Sequence, residues 1–262
     1  MDRLAYLASS GAKQLLHRQE TIAHNLANAN TIGFRADLDA FRAVPVQAGA
    51  QDSAQGQASG QAQAQGIGTR VFVVESTPGF DSSAGPLQAT GRNLDVAVDG
   101  DGYIAVESRD GSEAYTRAGS LDVGSDGVLR TRSGLSVLGD GGPITIPENA
   151  RVTIGGDGTV SAITGSDSKN ANVLGKIKLV GAPASSLVKG GDGLLRPIDG
   201  NALQADANIK LVEGTLEGSN VNPVDALVGM IAVARQFETQ MRLMSNAEQN
   251  SRDATKLLAI NA

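Results

Sequence analysis

Residues 222–262 read NPVDALVGMIAVARQFETQMRLMSNAEQNSRDATKLLAINA. Asn222 supplies an N-cap acceptor, Pro223 suits the first helical position, and Asp225 meets the positive end of the helix that follows. Behind this start Leu227, Met230, Ala234, Phe237, Met241 and Met244 recur in alternating steps of three and four. Their mean period of about 3.5 is that of a coiled-coil seam, since such a stripe drifts around a straight helix unless the helix supercoils. Arg235, Glu238, Arg242, Glu248 and Arg252 decorate the other faces, with Glu238–Arg242 and Glu248–Arg252 in the favourable i,i+4 order. No glycine or proline interrupts the stretch after Val233. Helical to Ala259, it would be a rod of about 55 Å at ~1.5 Å per residue. A compact domain of roughly 130 residues spans only about 30 Å, so it cannot bury such a seam alone. The stretch predicts a long helix in need of a partner.

The whole chain of 262 residues is long enough for one good core or two small domains. It has 33 glycines, no tryptophan, five phenylalanines and three tyrosines, which indicates many turns rather than one large dense core. The absence of cysteine excludes disulfide frameworks, cysteine zinc sites and thiol catalysis. A net charge of −6 with scattered basic residues argues against a nucleic-acid partner. No apolar run is long enough for a membrane span. The opening Met1-Asp2-Arg3-Leu4 lacks the basic and apolar regions of a secretory signal, so the residues alone suggest the cytoplasm.

Residues 2–29 predict a second amphipathic helix. Leu4, Ala8, Leu15, Ile22, Leu26 and Ala29 fall within about 60° of one another at 100° per residue, a thin stripe suited to close approach of another helix. Asn28, Asn30 and Gly33 supply the backbone freedom a helix end requires. Residues 47–66, rich in Gln, Ala, Gly and Ser, hold too few large apolar side chains to offset ordering entropy and are expected to be a mobile loop. From 69 onward short strands alternate with turns: 70–75, 94–98, 103–107, 114–117, 128–131, 144–146, 151–154, 160–163, 176–180 and 209–212 are candidates. Asp-Gly pairs stand at 99–100, 101–102, 110–111, 126–127, 140–141, 157–158, 192–193 and 199–200. Asp-Gly tolerates the positive φ of hairpin turns, and no helix-length crossovers lie between the strands, so antiparallel pairing is expected. The predicted fold class is α+β: a mainly-β central domain flanked by terminal helices that pair as a coiled coil. The expected division is 1–34 helix, 35–68 connector, 69–215 β-rich domain and 216–262 helix.

Catalytic chemistry finds little support. His17 and His24 lie two turns apart on the first helix, a spacing that fits a solvated or interface role better than metal ligation. No nucleophile elbow, Walker loop or dinucleotide fingerprint is present. Gly155-Gly156-Asp157-Gly158 and Gly190-Gly191-Asp192-Gly193 look like calcium-binding nonapeptides, but those sites need tandem copies. No catalytic, cofactor or metal site is expected. On the residues alone, a surface adhesin with a β-domain on a helical stalk and a hydrolase built on a carboxylate pair stay open as rivals to an assembly protein.

Several motifs in order carry a resemblance. Asn25-Leu26-Ala27-Asn28-Ala29-Asn30-Thr31-Ile32-Gly33-Phe34 resembles the N-terminal signature of bacterial flagellar rod and hook proteins, with Ile32 where proline is common. The stretch 90–103 (TGRNLDVAVDGDGY), the element 115–120 (YTRAGS) and the segment 216–222 (LEGSNVN) resemble the family's central motif, its Y-T-R-x-G element and the run into its C-terminal helix. Residues 1–14, 41–46, 69–80, 85–92 and 137–147 are most similar to proximal-rod members; 47–66 and about 164–208 match less well. The resemblance implies a non-enzymatic structural subunit of the basal-body rod, with paired terminal helices as an inner layer and the β-domain outside. It implies export through the flagellar type III apparatus without a cleaved signal, which moves the expected location from the cytoplasm to the periplasmic rod. Implied partners are other rod subunits, further copies of the chain and, in transit, the export apparatus; no cofactor, nucleic acid or membrane span is implied. The expected assembly interface is Leu4, Ala8, Leu15, Ile22, Asn25, Leu26, Asn28, Gly33 and Phe34 on the N-terminal side, with Leu227, Met230, Ala234, Phe237, Met241 and Met244 on the C-terminal side. Short helices are marginal in water, so the termini are expected to be largely disordered in a free monomer and to fold on incorporation.

Overall fold

A computed structural model describes residues 2–39, 41–45, 71–75, 79–164 and 171–260. The expectation of a mobile loop at 47–66 falls outside them. The first helix, α1, spans Asp2–Ala27, and the last, α2, spans Pro223–Ile260. Asn222 caps α2: its Oδ1 accepts from Val224 N at 3.0 Å and its carbonyl from Ala226 N at 3.0 Å. Pro223 stands first in the helix, where its missing N–H costs nothing, and Asp225 sits in the first turn.

Between the helices the described residues form short strands, and every strand pair is antiparallel. The largest sheet runs in the order 187–189, 195–197, 113–116, 102–107, 136–139, 129–131, 121–123, with 142–143 and 179–181 added beside 136–139 and 102–107. Strand Gly102–Glu107 is covered on both faces. Ile104 and Val106 enter the main core with Val96, Leu121, Leu129, Val137 and Ile177, while Tyr103 and Ala105 enter a second core with Phe80, Tyr115, Val180 and Leu195. Alternation along one strand therefore feeds two cores. A three-stranded sheet of 151–154, 159–163 and 171–176 packs its Val152, Ile154 and Val160 against the main one.

The glycines of six Asp-Gly pairs (Gly100, Gly111, Gly127, Gly158, Gly193 and Gly200) take φ between 72 and 86°. At Asp110, Asp157 and Asp199 the carboxylate also accepts the backbone N–H two residues on, at 2.9, 3.0 and 3.2 Å. Side-chain and backbone hydrogen bonds within these turns hold the three carboxyls below the ordinary aspartate range.

The predicted strands differ from the observed ones in two instructive places. The run 176–180 is not one strand: Ala171–Lys176 pairs with Thr159–Ile163, and Leu179–Gly181 pairs with Gly102–Glu107. Ile177, 1% exposed, is pinned in the core at the switch between sheets. Around 144–146 only a single bridge, Val128 to Thr145, forms. Strands such as Leu87–Ala89 and Thr215–Glu217 carry too few apolar residues to announce themselves and are set by the chains they pair with.

Tyr115 gives the second core a pH-dependent member. It is fully buried; its hydroxyl donates to Glu113 Oε1 at 2.8 Å and accepts from Leu203 N at 2.7 Å. Burial disfavours the phenolate and pushes the group up to about 12. An acid whose folded pKa is raised stabilises fully below its unfolded value and loses that contribution as pH rises through the folded one. Chemical denaturation should therefore show roughly 2–3 kcal/mol of alkaline destabilisation between about pH 10 and 12 that Tyr115→Phe removes. An unchanged alkaline slope in that variant would show that Tyr115 is not its source.

Candidate assembly site

The helices pack against each other antiparallel, Gly11 lying by Gln240 and Ile22 by Gly229. Small residues set the register: a side chain at Gly11 would lie 3.4 Å from the Gln240 amide, and one at Gly229 would lie 3.5 Å from Ile22 Cδ1. On α1 the stripe facing its partner is Ala12, Leu15, Ile22 and Leu26, with Ala12 the most buried; Leu16 is exposed. Leu4 and Ala8 belong to α1, but their side chains fall outside the described set, and Ala29 lies beyond the helix end. On α2 the less exposed positions are Ala226, Met230, Val233, Phe237, Gln240, Met244 and Ala247, again in steps of four and three.

This seam is rotated from the one read in the sequence. Met230, Phe237 and Met244 belong to both, while Leu227, Ala234 and Met241 are exposed, and Ala226, Val233 and Gln240 take their places against α1. Val233, 2% exposed, is the most buried residue of α2. The reason is that the first turns of α2 are apolar nearly all round, so period alone does not select a face; the thin α1 stripe does. What remains outside is a second apolar strip. Val224, Leu227, Val228 and Ile231 are 65, 50, 61 and 56% exposed. At 100° per residue they lie within roughly 100° of one another, opposite Val233. Farther along the same side Arg235, Glu238 and Arg242 take over, so the apolar strip is confined to the base of α2, near the β-domain.

The base of the helix pair is joined to the β-domain by a polar knot. The N-terminal chain leaves α1 through Asn28, whose Oδ1 accepts from Thr31 Oγ1 at 3.1 Å, and turns at Gly33, φ 68°. Gly33 N donates to Glu217 O at 2.8 Å. Behind Gly33 the buried Phe34 ring meets His24 edge-on at 5.6 Å and carries Lys189 Nζ 3.7 Å above its centre. Asp37 ties three segments together: it accepts from Lys189 Nζ at 2.6 Å, lies 2.6 Å from His24 Nδ1, and exchanges two backbone bonds with the Asn25 side chain at 2.8 and 2.9 Å. Burial lowers the Lys189 pKa, opposed by Asp37.

At the centre Glu217, 1% exposed, accepts from Arg35 Nη2 at 2.7 Å, Arg117 Nη1 at 2.9 Å and Gly85 N at 2.9 Å. Both arginines are buried; Arg35 also donates to Ser83 O and Arg117 to Gly100 O. Arg117 lies 5.3 Å from the centre of the Tyr103 ring. Burial lowers the Arg35 pKa and raises that of Tyr103. Asn220 completes the joint, accepting from Ala36 N at 2.7 Å and donating to Asp81 O and Ser83 O at 3.1 Å each.

The expected interface residues thus divide. Asn25, Asn28, Gly33 and Phe34 are used inside the chain, at the joint. Ile22 approaches Gly229 across the helix pair, Leu15, Leu26, Met230, Phe237 and Met244 are half-buried, and Leu227, Ala234 and Met241 are exposed. Sequence reasoning did not single out Arg35, Arg117 and Glu217 as a site, although Arg117 and Glu217 lie within the 115–120 and 216–222 motifs that carry the resemblance. Among the described residues no group of three histidines or acids is placed to hold a metal, and no helix is long and apolar enough to cross a membrane. Asp157 and Asp192, from the two calcium-like stretches, are engaged by Thr159 and by Leu194 and Arg196. An open cleft of about 790 Å³ lies between the end of α1 and the β-domain, lined by Asn28, Ile32, Arg109, Arg132 and Leu194 among others.

Comparison with known proteins places all three parts of this arrangement. Residues 6–35 match the family described as flagella basal body rod protein, residues 97–162 the flagellar hook protein FlgE/F/G D1 domain, and residues 212–257 the flagellar basal body rod FlgEFG protein C-terminal family. The chain is 42% identical to the flagellar basal-body rod protein FlgF of Salmonella typhimurium and 43% identical to that of Escherichia coli, over the full length of both chains in each case. It is 33% identical to FlgF of Caulobacter vibrioides over 98% of each chain, and 34% identical to FlgG of Bacillus subtilis over 95% of this chain and 96% of that one. These are structural rod proteins, not enzymes. On full-length identity and on the agreement of all three segments, the chain belongs to the FlgF family of flagellar basal-body rod proteins.

Proposed function

We propose that the chain is a self-assembling structural subunit of the proximal basal-body rod, held in the rod wall by its terminal helices and transmitting torque through them. The observation that carries the mode of assembly is the uncovered strip of Val224, Leu227, Val228 and Ile231, opposite the face that α2 gives to α1. A helix apolar on both sides has a partner on both sides, and among the described residues α1 supplies only one. Different surface patches meeting from subunit to subunit are heterologous contacts, which propagate as an open helix. Segments 1–34 and 216–262 then form an inner layer of coiled-coil helices, and the β-domain of about 69–215 lies outside it. Apolar burial of about 25 cal/mol per Å² offsets the ordering of helix ends remote from the joint. Other rod subunits and further copies are the partners, the subunit travels through the flagellar type III apparatus without a cleaved signal, and its destination is the periplasmic rod.

Deletion with complementation tests the role: the deletion strain is expected not to swim and to lack normal rods in basal-body micrographs. Normal rods there would refute it. The double variant Leu227→Glu, Ile231→Glu tests the surface. Both positions are exposed, so the isolated protein should melt within about 0.5 kcal/mol of wild type. Complementation should nonetheless fail; a variant that swims like wild type would remove the strip from the interface.

A further inference from the structure

We infer that Glu217 is a positioning residue: with Arg35 and Arg117 it fixes the angle at which the terminal helix pair leaves the β-domain, and it does so beyond what it adds to stability. Three observations lead there. The three charges come from segments far apart in sequence: Arg35 follows α1, Arg117 directly follows strand Glu113–Thr116 of the main sheet, and Glu217 closes strand Thr215–Glu217 on the way into α2. One carboxylate ties the exit from α1 and the main sheet to the strand that leads into α2, through Oε1 to Arg35 and Gly85 and through Oε2 to Arg117. The geometry is directional, because a carboxylate accepting on both oxygens from two planar guanidinium groups tolerates little rotation of any member.

The knot is also a poor choice for stability alone. Two arginines share one carboxylate, which leaves an excess positive charge among residues 1–4% exposed, and the Nε of each arginine finds no partner among the described residues. Buried ion pairs are commonly matched or exceeded in stability by apolar residues of similar volume, so their retention points to geometry. The backbone is closed around them: a side chain at Gly33 would lie 2.3 Å from Arg117 C, and one at Gly85 would lie 2.1 Å from Gly218 O. An apolar filling could slide in this space, whereas the carboxylate cannot. For a subunit whose helices must meet neighbours at a set angle, that is the property required; this last step rests on the rod reading, and the joint geometry does not.

The chain has no cysteine, so spin labels can be placed at single sites. Labels at Ala27→Cys, at the end of α1, and at Glu148→Cys, on an exposed turn of the β-domain, report the joint in the full-length isolated chain. Wild type should give one narrow distance distribution. Glu217→Asp keeps the charge but shortens the reach by one methylene, and the triple variant Arg35→Met, Arg117→Met, Glu217→Leu leaves no buried charge unpaired. Both are expected to retain the cooperative melting of the β-domain while the distribution broadens or splits, and both should fail to restore swimming. A narrow, wild-type distribution in either variant overturns the proposal, including the case in which melting falls while the distribution stays narrow, since the knot is then a stability element only. If the rod reading alone fails, the deletion strain swims normally and the spin-label result still stands or falls by itself.

Discussion

Gly119→Ala is expected to prevent the β-domain from folding, the largest effect of any single methyl group in the chain. A β-carbon built on Gly119 lies 1.7 Å from the carbonyl oxygen of Val96 and 2.8 Å from its carbonyl carbon. The neighbour is backbone, and that backbone is held: Val96 N donates to Gly119 O at 2.9 Å, and Asp95 and Ser120 form a bridge beside it. Val96, Leu121 and Ile104, all fully buried, converge on the same place, so the strand cannot retreat without opening the main core. The cost should reach or exceed about 4 kcal/mol, in the exceptional range for point substitutions. Against a typical total of about 5–15 kcal/mol that leaves little or no folded protein at growth temperature. Circular dichroism and thermal melting check it directly. A soluble variant melting within a few degrees of wild type would show that the two strands can separate at this point.

Gly33→Ala should be nearly as damaging, but elsewhere. The added carbon would lie 2.3 Å from Arg117 C and 2.5 Å from Ala118 N, and φ at 68° is strained for any residue with a side chain. The substitution forces the N-terminal chain off the β-domain, breaking the Gly33 N to Glu217 O bond and exposing Phe34 and Arg35. Strain and lost contacts together are expected to cost about 3–4 kcal/mol at the joint. The main core does not include these residues, so the β-domain should still melt cooperatively. Swimming should be lost, and limited proteolysis should cut between α1 and the β-domain faster than in wild type. Unchanged proteolysis and normal swimming would mean that the turn at Gly33 has room the geometry does not suggest.

Much of this was legible in the residues. The Asn222-Pro223 start of α2, two terminal helices around a mainly-β middle and the antiparallel pairing follow from rules that act over two to four residues and appear as expected. Of the eight Asp-Gly pairs six place their glycine at positive φ, and of the α1 stripe Leu15, Ile22 and Leu26 are the partly buried members. The seam of α2 was legible only in part. Met230, Phe237 and Met244 are common to both possible seams, while the choice between Ala234 and Val233 depends on where α1 lies. Asn25 and Gly33 were recognised as important through the flagellar signature, but their partners, Asp37 and the Arg117 backbone, were not. The run 176–180 looked like one strand because its apolar residues are contiguous; that they serve two sheets depends on Gly102–Glu107 and Thr159–Ile163 lying on either side.

By itself the sequence determined the start of α2, the helix–β–helix order and the family, because capping, texture and a characteristic order of motifs are local and survive without knowledge of any contact. Only the tertiary structure decided which face of α2 meets α1, which apolar face is left exposed, and that Arg35, Arg117 and Glu217 form one knot. Those three are separated by up to 182 positions, as 217 less 35. No periodicity links them; they are joined by packing alone, and a charge becomes a structural joint only when the fold removes it from water beside its opposite.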